Sequence, residues 1–426
     1  MADIRAFRAL RYTQDAGRLE DLVAPPYDVI SSEMRAKLGA RSDHNVVWVT
    51  LPESLSDDRS KFVKYGRAAL RLSEWRRDGI LAADLEPSVY RLEQKFVNPL
   101  DGIERVRTAL ITLLKIEPYE KGVVLPHEQT FPKHKEDRLR LLEATRAHVE
   151  CIFGLVEDDD RRMVRLMESA PFASTSHVVT DDGISHSLSR CTDEEAVREI
   201  QRYMSRSRVW IADGHHRYET ALKFREALGT QPTLIPEDFI LIALSSMKDP
   251  GLALLPTHRI VTRFTVPLAE ANVRLATYFT TRRMGNDELP TAVRELMNPK
   301  VRAFGIVLPG QTGLLAILDD PNVALKLIES PGSNLLKTLD VTILHEIILK
   351  RCFGVEGLDR VEYTRDAHEA VRRVQSGEHT MAVITNPPSV EAMRRIAEAG
   401  EKMPQKSTYY YPKLLSGLLM WSLADF

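Results

Sequence analysis

Short apolar runs of strand type recur along the chain, interspersed with amphipathic helical patterns. In 89–97, Tyr90, Leu92 and Phe96 fall on one face, while Arg91, Glu93 and Lys95 fall on the other. That period of two predicts a strand in a sheet with one wet side. Similar runs predict strands at 46–51, 108–116, 152–156, 209–212, 239–244, 304–308 and 381–385. Helices are marked at their starts. Thr192 with Glu195 reads as a capping box ahead of the apolar stripe Val197, Ile200, Tyr203 and Met204. Asp366 with Glu369 reads as another, and Asp340 as the cap of a helix that buries Val341, Leu344, Ile348 and Cys352. The runs 304–308 and 313–318, joined by Pro309-Gly310-Gln311-Thr312, predict a hairpin. Strands and helices do not alternate regularly, so the expected fold class is α+β, a mixed sheet with flanking helices. The Gly- and Pro-punctuated connection at 229–236 predicts a domain boundary near residue 230, and 286–290 is a second candidate.

Composition adds bounds. At ~100–200 residues per domain, 426 residues make two or three domains. Hydrophobic residues are 43% and charged residues 28%, which excludes a chain disordered throughout. Fifty-eight Lys and Arg against 60 Asp and Glu leave a formal net charge of -2. With no basic helix-turn-helix segment, no nucleic-acid partner is expected. Cys151, Cys191 and Cys352 form neither a C-x-x-C pair nor a zinc spacing, which fits a reducing compartment. The first residues carry no apolar signal core, and no run approaches ~18 apolar residues. A cytoplasmic location without a membrane partner is therefore expected. No pattern bears on oligomeric state.

Four segments carry candidate chemistry. At 209–222 an apolar strand runs into Asp213-Gly214-His215-His216-Arg217, and a helix begins there. A helix N-terminus favours an anion, Gly214 permits close backbone approach, and Arg217 can fork onto two phosphate oxygens. The alternative is a helix capped by Asp213 with solvated histidines. The loop at 125–139 offers His127 and Glu128 as a base and Lys133, Lys135 and Arg138 as anion contacts, or else is only a charged helix start. Two prolines at 25–26 fix Tyr27 and Asp28, which are candidates for substrate contact; Asp28 also suits a turn or cap. Near the C-terminus Lys406, Ser407 and Thr408 suit phosphate oxygens, and Tyr409 and Tyr411 share a face able to stack on a base or to pack in a core. No Walker A glycines precede them.

Taken together, Pro-Pro-Tyr-Asp-Val-Ile at 25–30, His-Glu-x-Thr at 127–130, Lys-x-Asp-Arg-Leu at 135–139, Ala-Asp-Gly-His-His-Arg-Tyr at 212–218, Leu-Pro-Thr-His-Arg at 255–259 and Met-Pro-Gln-Lys-Ser-Thr-Tyr-Tyr-Tyr-Pro-Lys-Leu at 403–414 resemble the domain-of-unknown-function 1015 family over nearly the whole chain. The Asp-Gly-His-His-Arg turn resembles that of the ParB/sulfiredoxin superfamily, which includes free-serine kinases using ADP or ATP. The resemblance implies a ParB/sulfiredoxin-like nucleotide-binding region over 1–230. Beyond it, 231–426 would form an α/β region whose last segment, 403–414, returns to the active site. It further implies that Gly214, His215, His216 and Arg217 hold phosphate and that Asp213 sits beside a Mg²⁺ ion or the substrate.

The expected activity is that of a small-molecule kinase that phosphorylates free L-serine with ATP or ADP. Glu128, Asp213 and His216 are its candidate catalytic residues. Phosphate contacts are expected from Gly214, His215, Arg217, Lys133, Arg138, Lys406, Ser407 and Thr408, and substrate contacts from Tyr27, Asp28, His127 and Tyr411. A nucleotide-binding regulatory protein without kinase activity, or a nucleotide or phosphoester hydrolase, would use the same cradle.

Overall fold

The computed structural model describes residues 1–426 apart from Phe131 and Pro299, and gives no side-chain description for Pro132, Lys133, His134 and Leu358. It is a mixed α and β structure, as the sequence pattern predicts, and it divides into two compact units. Unit 1 comprises residues 1–126, 130–253 and 410–426; unit 2 comprises 127–129 and 254–409.

Unit 1 is built on a nine-stranded mixed sheet. Its order runs Val124–Leu125, Val209–Asp213, Ile152–Val156, Phe239–Ser246, Glu104–Lys115, Val89–Val97, Ser185–Cys191, Ala173–Val179, with Ile4–Arg5 also paired to Glu104–Lys115. The central strand Phe239–Ser246 is buried at every position, as a strand covered on both faces must be. It lies between Ile152–Val156 and Glu104–Lys115, so unit 1 runs past residue 230 and the expected boundary there falls inside it. The second boundary candidate, 286–290, falls inside unit 2, where the Asn286 side chain donates to the carbonyls of Leu308 and Gly310 at 2.9 and 2.8 Å.

The C-terminal residues belong to the core of unit 1. Trp421 pairs with His148 in a short antiparallel ladder and is fully buried, its ring stacked on the imidazole at 5.5 Å. Met420 joins the cluster of Leu10, Val47, Ala68, Leu72 and Trp75.

Unit 2 holds a six-stranded antiparallel sheet ordered Thr280–Gly285, Thr312–Leu318, Arg302–Val307, Met381–Ile384, His258–Val261, Val361–Thr364. Neighbouring residues serve opposite faces. Phe304 and Ile306 pack with Leu344, Ile347 and Phe353, while Val307 packs with Leu289, Val293, Val371 and Val374. The residues 127–129 are attached to this unit by backbone bonds from Met403 to His127 at 2.7 Å and from Gln129 to Met403 at 3.4 Å.

Most expected strands form, and the hairpin of Arg302–Val307 with Thr312–Leu318 is present. Three local expectations fail. The run at 46–51 is not a strand but contains the helical turn Val47–Thr50, because the Asn45 side chain accepts from the Val47 N–H at 2.9 Å and Val47 and Val49 are buried. Helix Glu194–Met204 is capped by Asp193 rather than Thr192, through a 2.8 Å bond from the Ala196 N–H. Asp340 lies inside its helix and pairs with Arg302 at 3.1 Å.

Four histidines, two of them buried and two half-buried, are held neutral. Burial pushes His148 of unit 1 down to about 4, and pushes His186 of unit 1 and His258 and His345 of unit 2 down to about 3. The unfolded chain takes up protons below about pH 6.5 that the folded chain refuses until about pH 4 or lower, so stability falls as pH drops through that window. Each such histidine contributes a slope of up to ~1.4 kcal/mol per pH unit. Replacing His148 by Gln should therefore flatten the loss of stability between about pH 6.5 and 4.5 in urea denaturation; an unchanged pH dependence would remove His148 from this account. Trp421→Ala should lower unfolding stability by ~3–5 kcal/mol, the range for a large core truncation. A near-natural midpoint in denaturant would mean that the C-terminal residues are not integral to unit 1.

Candidate functional site

Strand Val209–Asp213 is buried over its first four residues and half-buried at Asp213, where it leaves the sheet. Gly214 follows at φ +92°, a left-handed conformation that glycine adopts without steric cost. A Cβ here would also stand 2.8 Å from Ile152 Cγ2 and 3.1 Å from Arg217 Nε. The thirteen-residue helix His215–Ala227 starts directly behind it, and its N-cap residue has no side chain with which to cap the first turn. Tyr218, Ala221 and Phe224 face the core, and Gly229 follows the helix at φ +66°.

Asp213 is not a free carboxylate. Its Oδ2 accepts from Arg217 Nη2 at 2.8 Å, and its Oδ1 accepts from Lys413 Nζ. Burial works to raise this carboxyl, but Lys413 and Arg217 outweigh it and hold it well below the usual carboxylate range. Arg217 donates through Nη1 to the Cys151 carbonyl at 2.6 Å. Burial opposes its charge; Glu150, Asp213 and Asp28 overcome that and raise it. Two cations thus enclose one carboxylate at a helix start.

The segment bearing Lys413 is itself clamped. Gln94 and Arg107 are cross-strand partners in the antiparallel register, both buried. Arg107 donates to the Tyr411 carbonyl at 3.4 Å and to the Pro412 carbonyl, and Gln94 donates to the Lys413 carbonyl at 3.0 Å. The Gln94 oxygen in turn accepts from Arg107 Nε at 3.1 Å. The backbone on both sides of Lys413 is therefore fixed by two inward polar side chains of the main sheet.

Tyr27 and Asp28 join this region of unit 1. The Tyr27 N–H donates to Glu150 at 3.0 Å, its ring lies 4.0 Å beneath the Arg138 guanidinium, and burial pushes its phenol up. Asp28 is exposed and within electrostatic reach of Arg217. Glu150 also accepts from the Ser416 hydroxyl at 2.9 Å. Behind these groups lies a small cavity of about 40 Å³ lined by Arg138, His148, Glu150, Arg217 and Thr220, room for a water or two. Two wider clefts of about 460 and 640 Å³ open around Met1 and Arg202 and include no residue of the Asp213 turn.

Several expected site residues have other partners. Arg138 is buried and commits its donors to Asp137 at 3.0 Å and the Thr50 carbonyl at 2.7 Å, so it braces the loops instead of facing a phosphate. Tyr411 packs edge-on against Phe96 at 5.3 Å. His215 is buried beside Asp213, while His216 is half-buried. The remaining candidates belong to unit 2. His127 is fully buried and bonds through Nε2 to the Thr408 hydroxyl at 2.9 Å. Glu128 accepts from the Lys406 N–H at 2.6 Å, and the Ser407 hydroxyl closes a local turn onto the Pro404 carbonyl. The Lys133 side chain lies outside the described residues. A Mg²⁺ ion does not fit Asp213, both of whose oxygens are taken by cations. Among the described residues no group of three or more His, Cys, Asp or Glu gathers that could hold a metal. No helix among them is long and apolar enough to cross a membrane.

The sequence reading missed Gln94, Arg107, Glu150 and Lys413. Gln94 had a signal: it falls on the same alternating face as Tyr90, Leu92 and Phe96 and is buried with them. Lys413 lies 200 residues from Asp213, and no local pattern joins the two.

Among solved structures, a free serine kinase in complex with AMP matches at 15% identity and a TM-score of 0.33, covering 68% of this chain and 84% of that one. A conserved hypothetical protein from Pyrococcus furiosus matches at 15% identity and a TM-score of 0.34, covering 71% and 94%. SbnI with a C-terminal truncation, from Staphylococcus aureus, matches at 11% identity and a TM-score of 0.35, covering 73% and 88%. No curated protein matches the chain. The model of the family described as "Protein of unknown function (DUF1015)" matches residues 4–342, most of the chain and every motif up to Leu-Pro-Thr-His-Arg, and the chain belongs to that family.

Proposed function

We propose that this chain is a nucleotide-dependent phosphotransferase acting on a small hydroxyl compound, with ATP or ADP as donor and free L-serine as the acceptor that the resemblance of its Asp-Gly-His-His-Arg turn favours. The observation that carries the reading is the turn itself: an uncapped helix start behind a left-handed glycine, with Lys413 and Arg217 on either side of Asp213. Phosphoryl transfer asks the protein mainly for positioning and for fixed positive charge, and a helix N-terminus with adjacent cations provides both.

Within this reading the residues divide their work. The backbone at Gly214–Arg217 and the Lys413 ammonium receive the phosphates. Arg217, with both its bonds internal, keeps Asp213 and the first helical turn in place. Asp213 is neutralised by its partners and unsuited to accept a proton. Glu128, the other candidate for the base, already accepts the Lys406 N–H. Asp28 takes the role, because it is a solvent-facing carboxylate in reach of Arg217. His216, half-buried in the first helical turn, contacts the acceptor in this scheme.

Incubating the purified protein with L-serine and either ATP or ADP, and measuring phosphoserine and free phosphate separately, tests the reading. Phosphoserine supports it, and phosphate without phosphoserine makes the protein a hydrolase. Lys413→Ala should weaken ADP binding by ~1–3 kcal/mol in calorimetry, the scale of a charge-assisted hydrogen bond; unchanged affinity in a folded variant would make Lys413 a clamp only. Asp28→Asn should keep ADP affinity while turnover falls ~10²–10⁴-fold, and Glu128→Gln should turn over at close to the natural rate. The reverse pattern moves the base to Glu128.

A further inference from the structure

Three sequence motifs meet within unit 2: His127-Glu128, Thr257-His258-Arg259 and residues 403–408. We propose that unit 2 carries a binding site for an oxyanion, the carboxylate or phosphate group of a small molecule, with the Nε/Nη2 edge of Arg259 as its floor.

Arg259 lies on strand His258–Val261 and is 1% exposed. A guanidinium so buried is ordinarily paired with a carboxylate, because an uncompensated charge in the interior is costly. Among the described residues no carboxylate reaches Arg259 within ion-pair distance; Glu128 acts on it only through the field, the Tyr363 ring lies 5.3 Å from its guanidinium carbon, and burial pushes it down to about 10. Its Nη1 is bound to the Thr257 carbonyl. The other edge is loosely filled. Nε reaches His345 Nε2 at 3.3 Å, and Nη2 reaches the Lys406 carbonyl at 3.3 Å, both long for such bonds. Arg107 of unit 1 shows the contrast: it too lacks a carboxylate, but its Nε and Nη2 close tightly on one Gln94 oxygen. An oxyanion that displaced the two long contacts to His345 and the Lys406 carbonyl would accept two parallel N–H···O bonds from this edge, the geometry in which arginine binds carboxylate and phosphate best.

The surroundings suit that ligand. His345, Tyr363 and Lys406 are half-buried, so the floor is deep and its rim reaches solvent. Burial, and then the Arg259 charge, hold His345 neutral, so it acts as an acceptor toward Arg259 and does not compete as a cation. Lys406 stands at φ +56°, a left-handed conformation uncommon for a residue with a side chain. Glu128 fixes it there through the Lys406 N–H, which turns the Lys406 carbonyl toward Arg259. The Lys406 ammonium has no partner among the described residues, which leaves a second cation for the anion.

Reductive methylation of Lys406, quantified by mass spectrometry, reads occupancy with orthophosphate and acetate as separate probes. At a probe concentration ~10 times its Kd, modification should slow ~10-fold in the natural chain and in Arg217→Ala. The slowing should vanish in Arg259→Gln, or in Arg259→Lys if the first variant does not fold. Protection by orthophosphate at the lower concentration assigns the site to a phosphate group, and by acetate to a carboxylate. No protection by either probe overturns the proposal, as does protection that persists without the Arg259 guanidinium. Protection lost in Arg217→Ala alone traces the anion to the Asp213 turn and also overturns it. The phosphotransferase reading can fail without touching this site, since phosphoserine formation does not enter the measurement.

Discussion

The Asp213 carboxylate, held between Lys413 and Arg217, is the interaction on which the site of unit 1 depends. It ties together a strand end, a helix start and a segment from the far end of the chain. Each component is unsatisfactory alone. A buried carboxylate without cations would be protonated or displaced, and removing one member of a buried ion pair leaves an uncompensated charge worth ~3–5 kcal/mol. Joined, they hold two cations at a helix start, where the helix dipole already favours an anion.

The clamp on residues 411–413 shows how a sheet can direct a flexible side chain. A lysine has four rotatable bonds and a large entropy to lose on fixing. Here the backbone on both sides of Lys413 is bound by Arg107 and Gln94, which face each other across two central strands. The position of the ammonium is thereby set by the most rigid part of unit 1, and little is left to the lysine itself. Arg138 does related work near Tyr27 and Glu150, bridging loops from separate parts of the chain.

Much of this was legible in the sequence, and the failures have physical causes. The unbroken apolar run Val209–Ala212 that ends at Asp213-Gly214 located the turn, because glycine is the residue that the geometry there requires. The α+β class followed from strands and helices that do not alternate regularly. The Val47–Thr50 turn was misread since four β-branched and aromatic residues suit a strand locally, and only the Asn45 cap and tertiary burial decide otherwise. Arg138 was misread because a charged residue in a polar loop looks solvated until its carboxylate and carbonyl partners are known. Gln94 was readable from its place in the inward set, whereas Arg107 gained meaning only through the register that sets it opposite Gln94. The pairing of Asp213 with Lys413 lies beyond any local signal.

The order of the units along the chain bears on how the protein is made. Unit 2 interrupts unit 1: residues 410–426, which complete the unit 1 core and supply Lys413, leave the ribosome only after all of unit 2. Until then the pocket for Trp421 is open beside His148, and Asp213 has one of its two cations. Unit 1 therefore cannot reach its final packing during synthesis of its own first 253 residues, whereas unit 2 has all its sequence before the closing segment emerges. A nascent chain arrested before residue 410 would present an unfinished hydrophobic core, the kind of surface that chaperones bind and proteases remove. The arrangement couples the assembly of the Asp213 turn to translation past residue 413, because a chain stopped earlier lacks one of the two cations that hold that carboxylate.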